Sequence, residues 1–492
     1  MSDAHVTKTG YEYNQAKIWQ IALFAMNNSA TNIYLFAIGF ISYYATGIAG
    51  LGVVVVSAVL TGMRAFDGVT DPIIGYIIDK TETRFGKFMP LMLIGNGILI
   101  TSFLIMYGIM HRLPEGWQLP FFILMHAIYI VGYTIQAACT RAAQTVLTND
   151  PKQRPLFTVF DAIYIILVFT GGQLLVANYL VPKHGGFDQY SLFIELNAYA
   201  MGLSAIFTIL AAIAIRGKDR KEFYGLGKTQ NLQVKFKDYL PVLKENRPLQ
   251  MLVIAASSDK LAMLVLRQPA IPIMFFGIWL GDYALSGTMQ LGIIPPTLLL
   301  VWAGMVYARK RGLKRALVLF TTIAMLSFAA LIPYLLFVDQ TQISFSNFGL
   351  VTIGFLLLYG IGMGISTFTG GLVIPMIADV ADYETYKSGR YVPGMIGTLF
   401  SLVDKMVSSL APAIVGVLLA FIGFQDEFPG VDTPLTTALL VMTIVLQFGV
   451  PMLGWLTTLI AMKFYKLDSE KMEEVQDRIQ EIKKEAKKEE AM

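Results

Sequence analysis

Three observations predict an all-helical membrane protein of twelve spans in two six-helix halves. Of 492 residues, 55% are hydrophobic and only 15% charged, whereas soluble chains carry roughly 25% charged residues. Apolar runs of about 20 residues, the length that crosses a bilayer core as a helix, recur along nearly the whole chain. One long polar break, 216–248, divides these runs into six and six.

The runs lie near 18–45, 50–78, 88–110, 119–147, 156–182, 190–215, 249–280, 284–308, 314–338, 347–377, 394–424 and 435–464. They define an N-terminal bundle (1–215), a central loop (216–248), a C-terminal bundle (249–465) and a charged tail (466–492). Short loops that carry many Lys and Arg face the cytoplasm. One set holds Lys80, Arg84 and Lys87; Lys152 and Arg154; Arg309, Lys310, Arg311, Lys314 and Arg315; then Lys387 and Arg390. The alternating set offers Arg112 and Lys183. Both termini of this multi-pass cell-membrane protein are therefore expected in the cytoplasm. The net charge of +4 is accounted for by these loops, so it marks topology and not a nucleic-acid partner. Cys139 is the single cysteine and excludes an intramolecular disulfide. No cleavable signal is visible, because the first apolar run far exceeds a signal core.

Span one sets Asn27, Asn28, Ser29, Thr31 and Asn32 among apolar residues. Such groups need partners in lipid and are expected to face the bundle interior, toward other helices or toward a solute. Span two contains Arg64-Ala65-Phe66-Asp67-Gly68-Val69-Thr70-Asp71-Pro72. At about 100° per residue, Arg64, Asp67 and Asp71 share one helix face. Each charge near the bilayer centre costs at least about 2.5–3.5 kcal/mol unless it meets a partner or a watery cavity. An internal salt bridge would use one carboxylate; the second points to an ion or substrate path. Span four carries Thr134, Gln136, Thr140, Arg141 and Gln144, with Thr134 and Arg141 on one face. Arginine keeps its proton and matches a carboxylate or phosphate bidentately. Its partner is either an anionic solute or one of Asp161, Asp67 and Asp71. Span five adds Gly171-Gly172-Gln173, where backbones can approach closely.

The central loop is basic and partly amphipathic (Val234, Phe236, Tyr239, Leu240, Leu243), so part of it is expected along the inner membrane surface. Span seven places Asp259-Lys260 ahead of Arg267-Gln268-Pro269 and Pro272. The prolines should break the helix and free backbone groups beside a cavity. Pro295-Pro296 in span eight is of the same kind. Span ten is rich in glycine from Gly360 to Gly371, which favours close packing or flexibility, and span eleven holds Asp404-Lys405. Adjacent helical residues point about 100° apart, so the last two cannot both serve each other. The tail alternates Glu and Lys, reads as a solvated helix and carries no chemistry. An enzyme is not indicated: the four histidines are scattered, and no HExxH, GxSxG, cysteine cluster or P-loop occurs.

Three stretches resemble the glycoside–pentoside–hexuronide:cation symporters. They are Arg64 to Gly75 with Asp79 to Pro90; Tyr133-Thr134-Ile135 leading to Leu147-Thr148-Asn149-Asp150; and Ala378-Asp379-Val380-Ala381-Asp382-Tyr383-Glu384-Thr385-Tyr386-Lys387 with Val403-Asp404-Lys405. Two repeats joined by a basic loop also match the major facilitator fold to which that family belongs. The glycine-to-basic-loop echo after Gly75 and after Gly304 is a second sign of the repeat.

The resemblance implies symport of a small sugar-type solute with Na+ or H+, in the lipid bilayer, with no cofactor and a monomeric functional unit. It implies that Asp67 and Asp71 bind the cation (as metal ligands if this is Na+), with Thr70 and Thr134 as hydroxyl ligands. Lys405 and Arg64 take coupling roles. Asp79, Arg84, Asp379, Asp382 and Arg390 are expected gating residues. The chain departs from the family's galactoside carriers: Asn27 or Asn28 replaces an aspartate in span one, Ala137 replaces another in span four, and Arg141 replaces a sugar-facing aromatic. An acidic sugar such as a hexuronide or glucuronide follows. Its expected contacts are Asn28, Asn32, Gln136, Arg141, Asp161, Lys260, Arg267 and Asp404. A lysophospholipid-type carrier or a neutral oligosaccharide or pentoside symporter are the alternatives.

Overall fold

The computed structural model describes residues 14–81, 83–148, 150, 153–220, 244–346, 348–388, 393–468, 470–475 and 477–478. Among them, twelve helices are long and apolar enough to cross a membrane: Ile18–Ile48, Val53–Ile78, Phe88–Arg112, Glu115–Leu147, Leu156–His184, Tyr190–Ile215, Arg247–Leu266, Ala284–Arg311, Leu313–Phe337, Leu350–Ser388, Leu399–Phe421 and Thr437–Phe464. They are called spans one to twelve. The amphipathic part of the central loop, Arg390 and the end of the tail lie outside the described residues.

The helices depart from the apolar runs where local chemistry and hydropathy disagree. Span ten continues to Ser388 instead of ending near residue 377, so Asp379 and Asp382 lie on its last turns. Ala378 to Ser388 contains no Gly or Pro, so hydropathy falls there before helicity does. Span seven ends at Leu266, with Arg267 as its C-cap; the chain re-forms a turn at Ala270–Pro272 and passes into a π-helix, Ile273–Trp279. The expected proline break is thus near the end of the span, before Pro269. Spans eight and eleven are interrupted just ahead of their prolines, at Ile293 and at Ser409-Leu410.

The chain forms two compact units. The first comprises residues 1–229 together with 419–433, and the second comprises the remainder. The loop between spans eleven and twelve therefore packs with the first unit, which the six-and-six division does not anticipate. There Val53 N donates to Gln425 O at 2.8 Å, Tyr43 Oη donates to Pro429 O at 2.8 Å, and the Tyr43 and Phe428 rings lie 5.5 Å apart.

Within the first unit, the basic ends of the helices are tied by side chains. Asp219, 2% exposed, accepts from the backbone N–H groups of Lys87 (3.0 Å), Phe88 (2.8 Å) and Met89 (2.7 Å). Those donors begin span three and have no helical acceptor, and a carboxylate there also meets the positive end of the helix dipole. Gly86 makes the approach possible: its φ is +102°, and a Cβ would stand 2.3 Å from Asp219 Oδ2. The 14–16 segment is clamped by the end of span four and the loop after it. Gln15 Nε2 donates to Asp150 Oδ2 (2.7 Å), Thr148 Oγ1 to Asn14 O (2.9 Å), and Ala16 and Gln153 exchange two bonds.

The second unit repeats part of this scheme with other residues. Buried Asn246 caps span seven through Leu249 N (2.9 Å) and donates to Glu384 Oε2 at the end of span ten (2.7 Å). Its core is aromatic, with Phe328 edge-on to Phe448 and Trp455. Small residues admit these rings. A Cβ on Gly362 would lie 2.2 Å from the Phe328 ring, and one on Gly304 2.5 Å from Phe368. Close packing therefore explains Gly362, while Gly370 and Gly371 face nothing within 4 Å. The paired glycines of the sequence echo also differ, since Gly75 meets no neighbour.

Asp219→Ala is expected to cost on the order of 3 kcal/mol by removing the acceptor of three backbone donors, one buried and two half-buried. Thermal unfolding of the purified protein should show a lowered Tm for Asp219→Ala and for Gly86→Ala. The double variant should lose less than the sum, because both changes act on one contact.

Candidate cation and solute-binding site

Helical spacing places Asp67, Thr70 and Asp71 within four residues on span two, and span four brings Thr134 to them. Thr134 Oγ1 donates to Asp67 Oδ1 at 3.1 Å, and Thr70 Oγ1 donates to its own helix at Asp67 O at 2.9 Å. The two hydroxyl oxygens are 3.2 Å apart, with Thr70 5% and Thr134 1% exposed. These are three short contacts served by two hydroxyl protons. With both hydroxyls donating to span two, the contact between the two hydroxyl oxygens has no hydrogen of its own. Among the described residues no group of three or more His, Cys, Asp or Glu is placed to hold a metal ion. A cation here would be held by carboxylate and hydroxyl oxygens together.

The cations around this face are arranged unequally. Arg64 lies within electrostatic reach of Asp67 and of Tyr129, Tyr133 and His126 on span four. Arg141 approaches Asp71 with Nη2 4.0 Å from Oδ1, at the outer limit of an ion pair, and remains 68% exposed. Asp161 has a different neighbour, Asn28 of span one. Of the partners open to Arg141 in the sequence, Asp71 is the one the fold brings near. Asn28 and Asn32, one turn apart, are half-buried.

Gln136, expected among the solute contacts, is fully buried instead. Its Nε2 donates to Thr208 Oγ1 (3.0 Å) and Met92 O (3.3 Å), and its Oε1 accepts from Thr31 Oγ1 (3.2 Å). Asn27 donates beside it, to Thr140 Oγ1 at 2.7 Å. Spans one, three, four and six are thus joined through one amide, which has no face left for a ligand. Polar groups of span one split accordingly: Asn27 and Thr31 are packed inside, and Asn28 and Asn32 are half-exposed.

In the second unit, Lys260 of span seven forms an ion pair with Asp404 of span eleven, the lysine 48% and the aspartate 7% exposed. The Lys260 charge is balanced by that pair, while Lys405, next to Asp404, is half-buried and Arg267 is exposed. Asp259, beside Trp455, has one carboxylate oxygen buried without a hydrogen-bond partner. Asp379 and Asp382 interact on the last turns of span ten. Of the other expected gates, Asp79 is on the helix that ends at Lys80, and Arg84 lies over the Phe85 ring at 4.6 Å. Sequence reasoning gave no role to Asp219 and Asn246 and named Asp150 only within a family-like stretch, because their short-range context gives no sign of partners more than a hundred residues away.

A twelve-span fold with charged and hydroxyl side chains gathered inside a span defines a membrane transporter. Residues 21–469 match the family of MFS/sugar transport proteins, and the chain belongs to that family. It is 22% identical to the glucuronide carrier protein homolog of Escherichia coli (strain K12), over 96% of this chain and 97% of that one. It is 23% identical to the isoprimeverose transporter of Lactiplantibacillus pentosus, over 87% and 84%. The crystal structure of the nucleoside transporter NupG superposes with a TM-score of 0.60 over 92% of this chain and 99% of that one. At 11% identity this is a likeness of fold alone.

Gln136→Leu is expected to lower the thermal stability by about 2–3 kcal/mol, because Thr31 and Thr208 lose a buried partner. A variant with unchanged Tm but lost uptake would return Gln136 to the solute site.

Proposed function

We propose that this protein is a cation-coupled symporter of a sugar derivative carrying negative charge, such as a hexuronide or glucuronide. The observation that carries the cation assignment is the clustering of oxygens from Asp67, Thr134 and Thr70, in successive contacts of 3.1 and 3.2 Å, with Asp71 one turn further. Two carboxylates so near repel each other, and a bound cation offsets the repulsion. Oxygen-only ligands suit Na+, while a proton would need Asp67 alone.

Arg141 supports the acidic solute. Its guanidinium is accessible and touches Asp71 only at 4.0 Å. It therefore keeps donors for a carboxylate, whereas Lys260 is already neutralised by Asp404. Asn28 and Asn32 offer amides to sugar hydroxyls, and Asp161 orients Asn28. The glucuronide carrier homolog among the relatives agrees with an acidic sugar. Transport follows alternating access, with a coupling between solute and cation that is reciprocal. Lys405 and Arg64 are assigned to that coupling, Asp79, Arg84, Asp379, Asp382 and Arg390 to gating, and both termini to the cytoplasm.

Proteoliposomes with an imposed Na+ or H+ gradient test the reading. Asp67→Asn and Asp71→Asn are each expected to reduce gradient-driven accumulation at least tenfold while sparing solute exchange. If both variants still accumulate solute uphill, the cation assignment fails. Arg141→Gln is expected to raise KM for a glucuronide about tenfold or more, the cost of one charge-assisted hydrogen bond. Uptake of a neutral glycoside should change little, and equal losses on both solutes would refute the acidic-substrate assignment.

A further inference from the structure

The third helix of each unit begins after a short basic loop, and the two helix starts are satisfied differently. In the first unit, the residue four positions beyond the end of span six, Asp219, lays its carboxylate on the opening N–H groups of span three. In the second unit, the residue four positions beyond the end of span twelve is Asp468. Its Oδ1 accepts from Lys471 N at 3.0 Å, so it starts a turn of its own chain instead. Span nine follows Gly312, whose φ is +89°, and no side chain caps it.

A cavity of about 250 Å³ stands at that helix start. Arg311, Lys314 and Arg315 line it, opposed by Asp379 and Asp468. Tyr465 lines it as well; this residue is 1% exposed, and its buried hydroxyl has no hydrogen-bond partner. An unsatisfied buried hydroxyl is costly unless a ligand takes its hydrogen. The helix start supplies N–H donors and a partial positive charge. Three cations exceed two carboxylates, one of which is already engaged. These features together favour an anion with several acceptor oxygens over a cation or a neutral polyol.

We propose that this cavity binds a phosphate group, seated at the start of span nine as the Asp219 carboxylate is seated at the start of span three. Its oxygens accept from the first N–H groups of the helix, from Arg315 and Arg311, and from Tyr465 Oη. The phosphate belongs either to a soluble species or to a phospholipid headgroup, since both present the same oxygens. None of its donors is assigned to cation or solute, while Asp379 in its lining is shared with the proposed gate.

The test uses the purified full-length chain in two arms. Radiolabelled inorganic phosphate is titrated by equilibrium dialysis in detergent. In parallel, Tm is compared in a phosphate-free maltoside detergent without lipid and with added phosphatidylglycerol. Saturable phosphate binding, weakened about tenfold by Arg315→Gln and severalfold by Tyr465→Phe, supports a soluble phosphate. A Tm increase with phosphatidylglycerol that both variants lose, without binding of inorganic phosphate, supports the headgroup. No response in either arm, or a response that both variants retain, overturns the proposal. Tyr465→Phe removes one oxygen and preserves the packing, so it remains informative if Arg315→Gln fails to fold.

Discussion

The structure depends on one constraint: inside a bilayer there is no water to take up an unpaired polar group. A polar side chain within a span is served by its own helix, by a partner on another helix, or by opening onto a place where a ligand can serve. Gln136 shows the first solution. One amide engages Thr31, Met92 and Thr208, and by doing so it joins spans one, three, four and six of the first unit. Its contribution is as much to the arrangement of these helices as to their stability.

The Asp67 face of span two shows the second solution. Asp67, Thr70 and Thr134 stand close enough to satisfy each other in part, yet two hydroxyl protons serve three contacts. Burial makes that deficit consequential, because an unpaired oxygen is far more costly in a low dielectric than in water. Arg141 and Asp71 sit beside it in a looser contact that leaves both groups accessible. Tight pairing and loose pairing on the same pair of helices separate what holds the fold from what remains open to ligands.

The helix ends follow the same rule where the spans leave the lipid. Asp219, Asp150 and Asn246 each bind a segment distant in sequence, and Asp219 and Asn246 also satisfy donors that helix geometry leaves over. These residues turn the polar connections into fasteners for the bundles. The glycines that face Asp219, Phe328 and Phe368 have the complementary task, since a methyl group at any of them would occupy the space of a neighbour.

The sequence by itself determined the class of fold, the number of spans and the charged face of span two, because hydropathy and helical periodicity are local properties. It also carried the family, through motifs whose residues lie close together in the chain. Tertiary structure decided the partners. Thr134 and Asp67 are 67 residues apart and Gln136 and Thr31 are 105 apart, and no periodicity encodes which helix faces which. For the same reason Gln136 looked like a solute contact and proved to be a packing amide, and Asp219 looked like part of a loop and proved to cap a span. Span ten outran its apolar run because helicity and hydropathy answer to different forces, backbone hydrogen bonding in one case and transfer from water in the other.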